Sequence, residues 1–287
     1  MKTMLMYVTL CSLLSIPVLT PVLSATENVN NESEFWGVVV ANVEQIREPY
    51  MYDALVLSEN WDEDHVKLLW KEEATKQAIL SSLDWLGEHA DDQDIVLFAG
   101  DIHGGYIQGE LGIWPFDGNS EGILSIEELD QKFDTIQAKG MCLIFDSCHS
   151  GNFIDEITTR FTRTTRIRQH DFVKGIEGEN RVVIMSSLRN GLAAHWYDEF
   201  GIEGEFSMTT CLAEAFAQTI DPNNDGICSA EEAFTYTKEK MLPFALRVFF
   251  NLPVQIIMWL IYGSIFKPFP NMYDPSPEEL PIIIRST

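Results

Sequence analysis

Two kinds of hydrophobic pattern alternate along this chain. Continuous apolar runs, which predict buried strands, lie at 35–41, 66–70, 94–99, 141–146 and 181–187. Apolar residues at helical spacing, which predict amphipathic helices, lie at 50–57, 72–89, 125–137 and 206–219. Strands that alternate with helices form parallel sheets covered on both faces. The pattern therefore predicts an α/β fold, a mostly parallel sheet in an α/β/α sandwich.

Two of the predicted strands end in side chains suited to covalent catalysis. Residues 143–151 read Leu-Ile-Phe-Asp-Ser-Cys-His-Ser-Gly, so a buried strand delivers Asp146 and Cys148 into a turn. The strand that starts at 94 is followed by Asp-Ile-His-Gly-Gly, in which the histidine is His103. Open α/β sheets place their sites at the carboxyl ends of strands, so His103 and Cys148 are expected to meet. A thiolate beside an imidazole can attack a carbonyl and manage the proton of the leaving amine.

These two strand ends, in this order, resemble the signature of the caspase-like clan of cysteine peptidases, which includes caspases, metacaspases, legumain and clostripain. In that clan one strand ends in His-Gly and a later strand in Asp-x-Cys-His-Ser-Gly. The resemblance covers roughly residues 35–283. It implies the caspase-like fold, with Cys148 as the nucleophile and His103 as the general acid/base. It also implies that the backbone N–H groups of Gly104 and Cys148 stabilise the oxyanion.

The same resemblance implies an acidic S1 pocket. In metacaspase-like and clostripain-like relatives, an Asp two residues before the nucleophile reads a basic substrate side chain, and Asp146 stands at that position. Asp53 matches a second metacaspase pocket acid. The expected substrates are therefore peptides or proteins cleaved after Arg or Lys. The alternative for Asp146 is a structural role, capping the turn at the strand end.

A basic, threonine-rich segment follows the nucleophile in an otherwise acidic chain. Its arginines are Arg160, Arg163, Arg166 and Arg168. If the S1 pocket accepts Arg, this segment is a candidate for self-cleavage. The alternative is an exposed loop paired to the acidic surface.

Residues 221–232 fit the calcium-loop template of an EF-hand, with Gly226 at the sixth position. The predicted Ca²⁺ ligands are Asp221, Asn223, Asp225, the carbonyl of Ile227, Ser229 and Glu232. The alternative is an acidic turn that caps the following helix. Residues 117–128 have similar spacing but no helix before them, and are a weaker candidate. No organic cofactor is predicted.

Charge and the amino-terminal pattern bear on partners and location. Asp plus Glu number 44 against 19 Lys plus Arg, for a formal net charge of −25. Such a surface disfavours nucleic acid and anionic lipid. Residues 1–25 have the charged start, apolar run and small-residue end of a signal peptide, and 26–34 form a polar tether, so secretion is expected. The alternative is an uncleaved amino-terminal anchor.

Residues 241–266 are strongly apolar but are interrupted by Pro243, Arg247 and Pro253. Two prolines and an arginine argue against a single spanning helix. We interpret the segment as a helical insertion in the 35–283 domain, packed on the domain or on a second copy. The alternative is a monotopic element that lies on a membrane.

A second functional hypothesis comes from another class of protein. The chain is then a catalytically inactive caspase-like fold that serves as a calcium-binding interaction module, since a fold does not fix a function. The clan usually has Gly-His-Gly, whereas two residues separate Gly100 from His103 here. That spacing favours the inactive module.

Overall fold

The structure is a computed structural model that describes residues 33–43, 48–118, 122–154, 175–194, 196–197 and 205–285. These residues belong to one compact unit, Glu32–Thr287. The predicted signal peptide at 1–25 lies outside the described residues, and so does most of the tether. The four arginines proposed as self-cleavage sites also lie outside them.

Strands and helices alternate along the first half of the described chain. In chain order the strands are β1 (Phe35–Ala41), β2 (Val66–Trp70), β3 (Ile95–Asp101), β4 (Gly104–Ile107), β5 (Glu110–Ile113), β6 (Leu124–Ser125), β7 (Gly140–Asp146), β8 (Arg181–Met185), β9 (Gly191–Leu192), β10 (Trp196–Tyr197), β11 (Glu205–Phe206), β12 (Ile227–Ser229), β13 (Ile265–Phe266), β14 (Asn271–Tyr273) and β15 (Pro281–Ile284). The α-helices are α1 (Tyr50–Val56), α2 (Lys76–His89), α3 (Ile126–Phe133), α4 (Met208–Ala217), α5 (Ala230–Phe249) and α6 (Leu252–Tyr262).

The central sheet has the strand order β14-β8-β7-β3-β1-β2, and only β14 is antiparallel to its neighbour. Alternate residues of a strand point to opposite faces of the sheet and so enter two different cores. In β1, Phe35 and Val39 share a core with α1, α4 and α5. Trp36 and Val38 share the other core with α2 and α3. Helices cover both faces, which confirms the predicted α/β/α sandwich.

The boundaries of some elements differ from the sequence prediction. The helix expected from residue 72 begins at Lys76, because Thr75 caps it by accepting a hydrogen bond from the Ala78 N–H, at 3.2 Å. The small β4-β5-β6 sheet was not predicted. Its β4-β5 hairpin turns at Gln108 and Gly109, which both have positive φ, at 55° and 91°. The short strands gave no periodicity long enough to recognise.

A buried ion pair ties α3 to the central sheet. Arg181, at the start of β8, is 3% exposed. Its Nη1 lies 2.9 Å from the carboxylate of Asp130, which is also buried. Its Nη2 lies 2.8 Å from the half-exposed Asp134. Arg181 therefore forms ion pairs with one carboxylate inside α3 and a second carboxylate just after its last residue.

The apolar segment 241–266 forms the end of α5, all of α6 and strand β13. Gln255 holds α6 in place: its side-chain amide donates to the carbonyls of Val248 and Phe266, and its amide oxygen accepts from the Phe266 N–H at 2.8 Å. No single helix in the described part of the chain is long and apolar enough to span a membrane. Helices α5 and α6 meet that requirement only as a pair, bent by 79°.

Candidate active site

The carboxyl ends of β3 and β7 lie side by side, with Asp101 opposite Asp146. The chain then leaves β3 through Ile102, whose N–H donates to the Asp146 carbonyl at 3.2 Å. Gly104 passes against the nucleophile turn, where a Cβ would lie 2.5 Å from the Cys148 carbonyl oxygen. A larger residue does not fit at this crossing. The glycine after His103 therefore lets that strand end approach Cys148.

His103 and Cys148 line one cleft with a volume of about 1060 Å³. Gly104 and Asp146 line it too. The His103 side chain is exposed, whereas Cys148 is mostly buried. The structure thus brings together the predicted nucleophile, the predicted acid/base and one predicted oxyanion donor.

The surroundings of the Cys148 sulfur disfavour the thiolate. Burial has the largest effect and raises the pKa of the thiol to about 11. The backbone N–H of Ala193 opposes this rise, while the Asp146 carboxylate adds to it. The thiol is therefore neutral near pH 7, and it needs a base before it can attack a carbonyl.

Asp146 faces both the cleft and a helix. Its side chain is 4% exposed, and one carboxylate oxygen accepts hydrogen bonds from the Thr209 N–H at 2.9 Å and the Thr209 hydroxyl at 3.2 Å. Thr209 lies in the first turn of α4, where unpaired N–H groups favour a negative charge. The Asp146 side chain thus holds the first turn of α4, a structural role, and Asp146 is also one of the residues that line the cleft.

Asp53 and His149 lie in different surroundings from those of the dyad. Asp53 lies in the first turn of α1 and is not among the residues that line the cleft, so the structure does not bring it together with Cys148. His149 has φ of 63°, and its N–H donates to the Gly191 carbonyl at 2.8 Å. Burial, followed by the charge of Lys267, lowers the pKa of His149. His149 is therefore a turn residue that also lines the cleft.

Sequence reasoning did not foresee part of the cleft wall. Met258, Trp259 and Tyr262 of α6 line the cleft. Strand β13 follows α6 and pairs with β9, where Ile265 lies opposite Gly191. The apolar composition of 241–266 indicated an inserted segment, but it did not indicate that this segment lines the cleft. Ala193 gave no signal at all, because it acts through its backbone.

The other cysteines lie away from the cleft. Cys142 and Cys211 are 0% and 1% exposed, as expected of core residues, and Cys228 is also buried. All four described cysteines are free thiols. Cys148 alone among them combines partial exposure with a place in the cleft.

The loop 221–232 leads from α4 into α5, where Ser229 and Glu232 cap the helix through reciprocal hydrogen bonds, the role named above as the alternative. Asp221 accepts hydrogen bonds from the N–H groups of Asp225, at 3.1 Å, and Gly226, at 3.0 Å. Gly226 has φ of 88°. Glu232 is 7% exposed; its Oε2 accepts from the Ser229 N–H, and its Oε1 is buried without a hydrogen-bond partner. The template needs a carboxylate oxygen available at this last position.

The loop at 117–128 differs at the matching position. There, the Glu128 carboxylate forms an ion pair with the Lys76 ammonium at 2.8 Å. A lysine side chain thus engages the oxygen that a cation would need. Across the described residues, no three Asp, Glu, His or Cys side chains form a ready metal site.

Part of the chain matches a known family, and its fold matches solved structures. Residues 39–157 match the family described as the metacaspase, peptidase C14 domain. The crystal structure of a protein from Geobacter sulfurreducens matches with a TM-score of 0.52 and 13% identity, covering 88% of this chain and 100% of that one. At that identity the likeness shows the fold. The crystal structure of caspase-1 from Spodoptera frugiperda matches with a TM-score of 0.46 and 12% identity, covering 91% of this chain and 94% of that one. No curated protein matches the chain.

Proposed function

We propose that this chain is an active caspase-like cysteine endopeptidase with a Cys148-His103 dyad, since residues 39–157 match the metacaspase, peptidase C14 domain. The observation that carries the proposal is the meeting of two strand ends. His103 and Cys148 line one cleft, and Gly104 lies against the Cys148 carbonyl. The proposed nucleophile, base and backbone donors thus share one cleft, which acyl transfer requires.

The proposed reaction begins from a neutral thiol. His103 removes the Cys148 proton as the sulfur attacks the carbonyl carbon of the scissile peptide bond. The N–H groups of Gly104 and Cys148 donate to the oxyanion that forms. His103 then gives its proton to the leaving amine, the C–N bond breaks, and a thioester remains. Water, deprotonated by His103, attacks the thioester, releases the acid and restores the thiol.

We propose a preference for Arg or Lys at P1, supported by the place of Asp146 among the residues that line the cleft. A cationic side chain would give this buried carboxylate a counter-charge. The formal charge of −25 would also raise the local concentration of basic peptides. A pocket role for Asp53 rests on the resemblance alone.

Calcium binding at 221–232 is part of the proposal. The supporting observation is the buried, unpartnered Oε1 of Glu232, together with the positive φ of Gly226. The loop joins α4, whose first turn holds Asp146, to α5, which leads into the cleft-lining helix α6. A bound cation would thus stabilise two supports of the cleft at once.

Export and self-processing complete the proposal. The signal-type pattern of 1–25 supports secretion, and the basic segment after Cys148 supports self-cleavage. Amino-terminal sequencing of the exported chain tests the first. An unchanged fragment pattern after substitution of Arg160, Arg163, Arg166 and Arg168 would contradict the second.

The inactive, calcium-binding module is the second candidate. Strand β3 ends at Asp101, and Ile102 separates that strand end from His103. This spacing favours the inactive module. This path replaces the direct Gly-His-Gly junction of the clan.

Peptide hydrolysis separates the two candidates. Fluorogenic peptides that differ only at P1, carrying Arg, Lys, Asn or Asp, are offered with and without calcium. An active chain should cleave the Arg and Lys peptides, and Cys148→Ala should cleave none. The control Cys211→Ala removes a thiol outside the cleft and should retain activity. A chain silent on every peptide, whose Cys148 reacts with a peptidyl-Arg electrophile no faster than Cys211, is the inactive module.

A further inference from the structure

Helix α6 exposes apolar side chains beside the cleft. We call Leu252, Ile256, Ile257, Trp259, Leu260 and Ile261 the α6 patch. Each of the six is between 50% and 69% exposed. Phe250, which precedes the helix, is 74% exposed. Contiguous exposed apolar surface of this kind marks an interaction site.

The polar groups of this helix face inward. Gln255, its one amide side chain, is 7% exposed and bonded to the backbone at Val248 and Phe266. The side chains that reach outward are almost all aliphatic or aromatic. This is the reverse of a helix on a water-facing surface, whose polar stripe faces outward.

Charge is excluded from the segment and concentrated at its ends. Residues 248–266 contain no Asp, Glu, Lys or Arg, and Arg247 and Lys267 stand immediately before and after them. Charge is therefore absent from the surface that α6 exposes. Trp259 and Tyr262 are the side chains typical of a membrane–water interface.

We propose that the α6 patch seats the chain on the surface of a neutral lipid bilayer, with α6 lying in the interface. An 11-residue helix is about 16 Å long, which is too short to cross the hydrocarbon core. The formal charge of −25 opposes association with a second copy or with anionic lipid. An apolar surface that offers few hydrogen-bonding groups suits acyl chains better than a specific protein partner.

The position of α6 connects this surface to the cleft. Trp259 belongs to the patch and also lines the cleft, as does the neighbouring Tyr262. When the α6 patch lies on the bilayer, the cleft opens at the membrane surface. If the proposed peptidase function holds, its substrates are basic peptide segments close to a bilayer.

The test uses the full chain carrying Cys148→Ala, so that binding is measured apart from catalysis. Partition onto phosphatidylcholine vesicles is measured by sedimentation. Leu260→Glu, on the patch but not in the cleft, is expected to lower partition at least tenfold. The matched control is Leu57→Glu, which places the same charge at an 82% exposed leucine after α1 and is expected to leave partition unchanged.

A second readout reports on α6 alone, whatever the amino terminus does. Brominated phosphatidylcholine should quench tryptophan fluorescence, and Trp259→Phe should remove that quenching. The proposal is overturned if Leu260→Glu and Leu57→Glu bind alike, or if Trp259→Phe leaves the quenching unchanged. Tighter binding to phosphatidylglycerol vesicles, or a dimer in solution that Leu260→Glu dissociates, would also overturn it. Loss of peptide hydrolysis in the unsubstituted chain would affect only the function proposed above, because these measurements use an inactive variant.

Discussion

The neutral Cys148 thiol leads to a quantitative prediction about the charge state of the site. Burial, with a smaller contribution from Asp146, raises its pKa from 9.0 to about 11 despite the Ala193 N–H. A rise of that size corresponds to about 3 kcal/mol against the thiolate. Near pH 7, about one molecule in ten thousand would carry the thiolate, roughly a hundredfold fewer than for a thiol with the starting pKa.

Alkylation by iodoacetamide measures this fraction, because the thiolate is the species that reacts. The rate constant at Cys148, followed by mass spectrometry of its peptide, is expected to rise about tenfold per pH unit up to about pH 10, without a plateau. Asp146→Asn removes a charge that raises the thiol pKa, so the same curve should move to lower pH. Cys148→Ala gives the background from the buried cysteines.

A plateau below pH 8 would refute the reasoning. It would mean that Cys148 and His103 exist as a thiolate–imidazolium pair in the free protein. His103→Ala separates the cases: it should leave the alkylation curve in place if burial and Asp146 set the pKa, and abolish the plateau if an ion pair does. Peptide hydrolysis should fall in either case.

Three further predictions concern other parts of the molecule. Asp130→Ala leaves the buried charge of Arg181 with one remaining carboxylate and should lower the free energy of unfolding in urea by about 3–5 kcal/mol. Gly104→Ala places a methyl group 2.5 Å from the carbonyl oxygen of Cys148, so it should force the two strand ends apart, reduce kcat/KM about 100-fold and lower Tm as well. Calcium at a hundred times its Kd should stabilise the chain by about 2.7 kcal/mol, an effect that Asp225→Ala removes and Asp117→Ala does not.

Matched variants decide what these results mean. Asp134→Ala removes a half-exposed partner of Arg181 and should cost about 1 kcal/mol or less; an equal cost to that of Asp130→Ala would contradict the role of burial. Gly118→Ala meets no atom closer than 3.6 Å and should leave hydrolysis intact. A calcium-induced rise in Tm that survives Asp225→Ala would locate the cation elsewhere.

The sequence predicted the features that depend on local pattern. Residues 95–101 and 140–146 are continuous apolar strands, so their ends at His103 and Cys148 could be placed at one edge of the sheet. Asp53 shows the limit of such reasoning. Its place in the first turn of α1 was recognisable, but the direction of that turn relative to the cleft depends on how α1 packs on the sheet.

Contacts between distant segments escaped prediction for the same reason. The N–H of Ala193 lowers the pKa of the Cys148 thiol, and α6 forms a cleft wall, through chain paths that no local spacing encodes. The capping of α4 by Asp146 joins residues 63 positions apart. The burial that raises the pKa of the Cys148 thiol also depends on such distant contacts, so the sequence did not reveal it.

The double attachment of Asp146 has a thermodynamic consequence. One carboxylate serves both the first turn of α4 and the cleft, and the opposite end of α4 leads into the loop 221–232. A basic substrate side chain that binds this carboxylate would compete with the hydrogen bonds from Thr209 to Asp146. Substrate binding at one end of α4 and calcium binding at the other end would then be coupled. If calcium changes the affinity for a basic substrate by some factor, that substrate must change the affinity for calcium by the same factor. A shift of the calcium Kd with peptide concentration would then report this coupling without any measurement of catalysis.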